Sequence, residues 1–173
     1  MIAILDVETT GLDPAKHEIV EIGAILVNEE FDIIMQFERQ VKPERIDDAD
    51  PIALAINGYD PEKWHEAVSI KRALIDLLPF VEGDTTIAGW GVSFDVSFLR
   101  QAYAAACIEW PNTRRRTLDI CSVAQFCYPR LPSFSLTAVA EALRIHPGNH
   151  RAMADALCAL EVARKLKGLI HAK

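Results

Sequence analysis

The stretch IAILDVE at residues 2–8 constrains this chain more than any other. Ile2, Ala3, Ile4, Leu5 and Val7 read as a strand buried in a sheet, ended by Thr9-Thr10-Gly11 and Asp13-Pro14. Inside that strand Asp6 and Glu8 stand two residues apart, so both carboxylates leave the same face. Side by side among apolar neighbours they repel each other and lose hydration, which is costly unless something compensates. A divalent cation is the simplest compensation. Plain solvation at the exposed end of the strand is the bland alternative.

The rest of the chain supplies partners for that strand. Residues 19–27 (IVEIGAILV) read as a second strand, and residues 31–41 as a third with Phe31, Ile33, Met35 and Phe37 at period two. The short Asn28-Glu29-Glu30 connection suits an antiparallel hairpin. Pro51 opens a short helix, PIALAIN, that Gly58 stops. Residues 65–80 carry Ile70, Leu74, Leu77 and Leu78 at helical spacing, Thr85–Trp90 is a fourth strand, and Phe94, Phe98 and Ala102 mark another helix. Arg116–Ile120 reads as a fifth strand, followed by helices near 121–128, 136–144 and 150–167. A meander followed by alternating strands and helices predicts an α/β fold with a mixed five-stranded sheet, antiparallel first and then parallel, flanked by helices. With 173 residues, no repeat and no linker, residues 1–173 read as a single domain.

The formal charge of −7 argues against a protein that coats nucleic acid, though not against an enzyme that holds cations at an acidic site. Residues 1–66 carry 16 acidic side chains against 5 basic, and residues 67–173 carry 9 against 13. A polyanion would meet the second half more favourably, unless the asymmetry is scattered solvation charge. Cys107, Cys121, Cys127 and Cys158 form no C-x-x-C pair and read as free thiols in a reducing compartment. No signal peptide and no membrane-length apolar run is evident, so a cytoplasmic, membrane-free protein is expected.

Three more positions carry chemistry. Asp95 sits just inside the helix anchored by Phe94, Phe98 and Leu99, where a first-turn acid acting on the helix dipole is the ordinary alternative. Asp155 lies beside a stripe of small residues, Ala152, Ala156, Ala159 and Ala163, that lets the last helix approach a sheet closely. It is either aimed at that interface or a surface acid at its edge. His150 precedes Asp155 by five residues, after Pro147-Gly148-Asn149. An imidazole titrates near neutrality and is suited to take a proton from water, although a lone His is often structural.

Taken together, Asp6-Val7-Glu8-Thr9-Thr10-Gly11-Leu12, Phe94-Asp95 with Phe98-Leu99, and His150-Arg151-Ala152 with Asp155-Ala156 resemble the three motifs of the DEDDh (DnaQ-like) 3′–5′ exonucleases. Val41-Lys42-Pro43, Ile56-Asn57-Gly58 and Ser135-Leu136 are weaker matches between them. The resemblance runs from residue 1 to about 167 and implies an RNase H-like fold. It also implies release of nucleoside 5′-monophosphates from the 3′ end of single-stranded DNA or RNA. Two Mg²⁺ (or Mn²⁺) ions would be held by oxygen ligands, the preference of hard cations. The roles it implies are Asp6, Glu8 and Asp155 on one ion, Asp6 bridging, Asp95 serving the second through water, and His150 as general base. Backbone N–H groups around Thr9 and Thr10 would bind the terminal sugar, and Leu12 would wedge beside the last base. Trp90 and Phe94 offer stacking surfaces, with core packing the alternative for Phe94. Arg114-Arg115-Arg116 is read as a contact to the downstream backbone or as a solvated loop.

The chain departs from the pattern where many members have His-Asn and it has Trp90-Gly91, and where many have a His and it has Asn57. Substrate details are therefore more open than activity. The last expected helix ends about six residues before Lys173, which is read as lacking the tail of polymerase-tethered members and as pointing to a stand-alone nuclease. The partners expected are a single-stranded nucleic-acid 3′ end and either a polymerase or a second copy of the chain in a homodimer. Rival readings are a catalytically silent nucleic-acid or partner-binding module on the same fold, a polymerase-associated proofreading domain, and an RNase H-like endonuclease.

Overall fold

The computed structural model describes residues 1–171. Five strands pair in the order β3-β2-β1-β4-β5. β1 (Ile2–Thr9), β2 (Ile19–Val27) and β3 (Ile33–Gln40) form an antiparallel meander. β4 (Thr86–Gly89) adds parallel to the other side of β1, and β5 (Leu118–Asp119) adds parallel to β4. Helices α1 (Pro51–Asn57), α2 (Ile70–Val81), α3 (Ser93–Ala105), α4 (Ile120–Cys127), α5 (Leu136–Ala142) and α6 (Ala152–His171) flank the sheet. The mixed sheet expected from the order of elements is the one observed.

Side chains of β1 alternate between two cores. Ala3, Leu5 and Val7 pack with Leu74, Leu77, Phe98 and Tyr103 of α2 and α3. Ile4 faces the other way, with Ile120, Val139 and Leu160 of α4, α5 and α6. By the same alternation Asp6 and Glu8 continue the Ile2–Ile4 row past the end of that packing, on the α6 face. β2 is buried along its whole length because it has a strand on each side and helices on both faces. The alanine stripe of α6 is buried, with Ala152 and Ala156 at 0% exposure. At Gly23 a Cβ would run into the backbone of Ala152 and Met153, so glycine is what lets the start of α6 settle onto β2.

Several boundaries move. The third strand starts at Ile33, because Phe31 lies in the preceding turn with φ +67°. Phe31 and Phe37 belong to opposite cores, and Ile33 and Met35 are 40% and 37% exposed, so the expected apolar row does not form. β3 is the sheet edge, and within it only Phe37 is buried, against Phe80 of α2. α2 begins after Ser69, whose hydroxyl accepts the Arg72 N–H at 3.3 Å, since Val68 is bridged to Val41 instead of helical. β5 stops at Asp119, which caps α4 by accepting the Cys121 N–H at 3.2 Å. α6 runs to His171, past the expected end near 167, and residues 172–173 of the expected tail lie outside the described residues. No described helix is long and apolar enough to cross a membrane.

Candidate active site

Asp6 and Glu8 stand at the C-terminal end of β1, and α6 presents Asp155 to them from its first turn. One carboxylate oxygen from each lies within 4.8 Å of the other two. Asp95 arrives from the opposite face of the sheet. β1 pairs with β4 only as far as Ile4 with Ala88, which leaves the Val7 N–H beyond the parallel ladder. Asp95, 3% exposed in the first turn of α3, accepts that N–H at 2.9 Å. It lies beside the trio without belonging to it. His150 is exposed, with φ +57°, immediately before the Arg151-Ala152 start of α6.

The electrostatics point one way. Burial, and after it the charge of Asp95, pushes the Asp6 carboxyl well above the usual range. Burial, then the charges of Asp155 and Glu21, push Glu8 up to about 8 despite the opposing Arg151. Burial also raises Asp95, against the pull of the Val7 N–H. Asp155 is raised by burial, while the charge of His150 and the backbone N–H groups of His150 and Asn149 act against the shift. Carboxyls that all hold protons too tightly are carboxyls short of positive charge. The donor set is all oxygen and closely spaced, which fits Mg²⁺ or Mn²⁺ and not a thiolate-seeking metal.

The residues expected to meet substrate are arranged as follows. Leu12 is 79% exposed in the turn after β1. The Thr9 hydroxyl donates to the Gly11 carbonyl at 2.7 Å. The Thr10 N–H donates to the Glu18 carbonyl at 2.8 Å, which holds that amide within the turn. Gly11 is glycine for a local reason, since a Cβ there would lie 2.6 Å from the His17 ring. Asn57 is 2% exposed; its amide donates to the Thr9 carbonyl and accepts from the Tyr59 N–H, both at 3.0 Å. It braces the turn. Trp90 is half-buried in the α6-side core and donates to the Phe134 carbonyl at 3.2 Å. Phe94 is half-buried on the α3 side, its ring 4.8 Å from that of Phe98. Arg114 is paired with Asp84 through bonds of 2.5 and 2.7 Å and donates its N–H to the Thr85 carbonyl. That anchors Arg114–Arg116 at the N-terminal end of β4, the opposite end of the sheet from the carboxylates.

The sequence profile of the exonuclease family (RNase T type) matches residues 3–163. The chain belongs to the exonuclease family. This exonuclease domain is similar to a PolC-type DNA polymerase III of Thermotoga maritima, 33% identical over 92% of this chain but only 11% of the polymerase. It is similar also to the 3′-5′ exonuclease DinG of Staphylococcus epidermidis, 25% identical over 89% of this chain and 16% of that protein. The chain therefore spans a small part of these relatives. Among solved structures, exonuclease I matches with a TM-score of 0.84 and 26% identity, over 96% of this chain and 40% of that one. E. coli exonuclease I in complex with a dT13 oligonucleotide matches at 0.84 and 25%, with the same coverage.

Three residues around the site of this exonuclease domain were missed by sequence reasoning. Glu21 pairs opposite Glu8 across β1 and β2, is 0% exposed, and receives Arg151 on both oxygens at 2.9 and 2.7 Å. Its signal was present: a single acid, Glu21, inside the otherwise apolar run IVEIGAILV. Asp119 accepts the Gly91 N–H at 2.9 Å and the Ser122 hydroxyl at 2.6 Å, steadying the approach to α3. An acid just before a helix is a capping signal and could have been read. Gly148 lies against Asp155 so closely that a Cβ would fall on its Oδ1. Nothing local distinguishes that glycine from an ordinary turn residue.

Proposed function

We propose that this domain is a metal-dependent 3′–5′ exonuclease that releases nucleoside 5′-monophosphates from single-stranded DNA or RNA. The observation that carries the reading is the convergence of Asp6, Glu8 and Asp155 within 4.8 Å, with Asp95 fixed beside them. When bound, two divalent ions supply an activated water and relieve charge on the phosphate and the leaving oxygen. Asp6, Glu8 and Asp155 would hold the metal directly, and Asp95 would assist through water. His150, exposed just before α6, takes the proton of the attacking water. Leu12 wedges beside the terminal base, and Asn57 holds Thr9 and with it the turn that carries Gly11 and Leu12. Trp90 and Phe94, both half-buried, offer stacking surfaces to unpaired bases.

The likeness to exonuclease I bound to an oligonucleotide supports a single-stranded substrate. The PolC-type relatives favour a second reading, a proofreading domain working beside a polymerase. A 5′-labelled oligonucleotide with Mg²⁺ or Mn²⁺ tests the proposal. A ladder shortening from the 3′ end, abolished by chelator and by Asp6→Ala, is expected. Cutting of a circular strand, or tight binding without turnover, would overturn it. Matched DNA and RNA, single and double, then define the substrate, and a mismatched primer end tests proofreading.

A further inference from the structure

Asp155 and His150 belong to one short segment, residues 148–155, that must be delivered together to the end of β1. We infer that Glu21 and Arg151 form a clamp, its carboxylate buried and its guanidinium partly exposed, that positions this segment, fixing the start of α6 over β2 so that Asp155 meets Asp6 and Glu8 with His150 at the rim. The inference rests on the exonuclease reading above and deepens it.

Arg151 is placed to control both groups. It follows His150 directly, and its carbonyl accepts the Asp155 N–H at 2.9 Å. Its guanidinium binds both oxygens of Glu21, the planar two-point geometry that fixes direction as well as distance. Glu21 also accepts the N–H of Ala152, the first residue of α6, at 3.4 Å. A strand glutamate thus serves an unpaired amide at the helix start, where negative charge is favoured. The guanidinium carbon lies 5.4 Å from the centroid of the Trp64 ring. Trp64 is 5% exposed and tied to the Val20 carbonyl at 3.0 Å, so the clamp is bonded along its edge and covered on its face.

Stability alone does not account for the pair. Taking the Glu21 carboxylate fully and the Arg151 guanidinium partly out of water offsets much of their attraction, and well-packed apolar residues are often as good. Glu21 also sets a negative charge opposite Glu8, raising the proton affinity of Glu8 and Asp155. Geometry at the start of α6 is what the clamp adds.

The test uses the whole chain with Glu21→Gln, Arg151→Lys, Arg151→Met and the double replacement Glu21→Met/Arg151→Leu. The double variant leaves no lone buried charge and keeps the test open if a single variant fails to fold. Thermal unfolding identifies the folded variants. Mn²⁺ binding is measured by calorimetry without nucleic acid, and kcat and KM on an oligonucleotide. Folded Arg151→Met and the double variant should bind Mn²⁺ and turn over about 10–100-fold less well, with KM little changed and Arg151→Lys partly restored. A merely structural pair would lower the melting temperature and leave kcat and Mn²⁺ affinity intact in folded molecules. Wild-type Mn²⁺ affinity and kcat in the folded double variant overturn the inference. If the wild type binds Mn²⁺ but shortens no oligonucleotide, the exonuclease reading fails, and the calorimetric comparison still decides the clamp.

Discussion

Asp95 and Asp155 reach one pocket from opposite faces of the sheet, and they are held by different means. On the α3 side a backbone amide does the work: Val7 has an N–H that β4 no longer covers, and Asp95 takes it. On the α6 side the holding groups are side chains and a missing side chain: Glu21 with Arg151, and Gly148 against the carboxylate. The first arrangement follows from where two strands part company. The second depends on particular residues far apart in the chain. Substitutions outside the carboxylates should therefore damage the α6 side of the site more readily than the α3 side.

The largest expected effect tests whether the two acids are equal in chemistry despite unequal support. Asp95→Asn and Asp155→Asn should each lower kcat by about 1,000-fold or more, given several kcal/mol of lost charge stabilisation. Asp95→Asn keeps an acceptor for Val7 and should unfold no more easily than the wild type. Asp95→Leu strands a buried N–H and should cost about 1–3 kcal/mol in denaturant titration. Equal stability of the Asn and Leu variants would break the account of the α3 side.

Glycines separate the sides next. Gly148→Ala should displace Asp155 and lower Mn²⁺ affinity and rate by about 10–100-fold with little change in unfolding. Gly89→Ala, whose Cβ would sit 2.6 Å from the Leu5 carbonyl oxygen, should instead cost stability, about 1–3 kcal/mol. The reverse pattern would reverse the comparison.

The smallest effect is on pH dependence. Glu8 moves from its ordinary 4.5 to about 8 in the folded state, so folding favours its protonated form. Its contribution to the metal-free protein is present in full below the unfolded value and is lost as pH rises towards 8. Melting temperature in chelator should therefore fall across that interval, by less in Glu8→Gln. Mn²⁺ should restore it at the alkaline end, where the ligands are deprotonated. A metal-free protein whose Glu8→Gln variant shows the same pH slope would refute the assignment.

What could be read in advance depended on whether its cause was local. β2 runs over the expected Ile19–Val27, and α1 occupies the expected Pro51–Asn57 because Asp50 accepts the Ile52 N–H and Gly58, at φ +67°, ends it. Asp6 and Glu8 stood out through strand alternation, and Asp155 through the small-residue stripe. The error at Phe31 came from a left-handed turn residue that period-two counting cannot see. The Thr10 N–H pairs with the Glu18 carbonyl across a turn, a tertiary bond that the motif alone does not reveal. A basic run such as Arg114–Arg116 does not say which end of a strand it will occupy, and the Asp84 pairing that anchors it is tertiary. Glu21 and Arg151 are 130 residues apart, and no spacing rule joins them.

In β1 one row of side chains is oil at its beginning and acid at its end. A slip of a single residue in its pairing would exchange the two faces throughout. It would turn Asp6 and Glu8 toward Leu74 and Phe98 while emptying the pocket of its ligands. A misregistered molecule would lose its core packing and its carboxylate cluster together, so the strand that carries the candidate ligands also penalises its own misfolding.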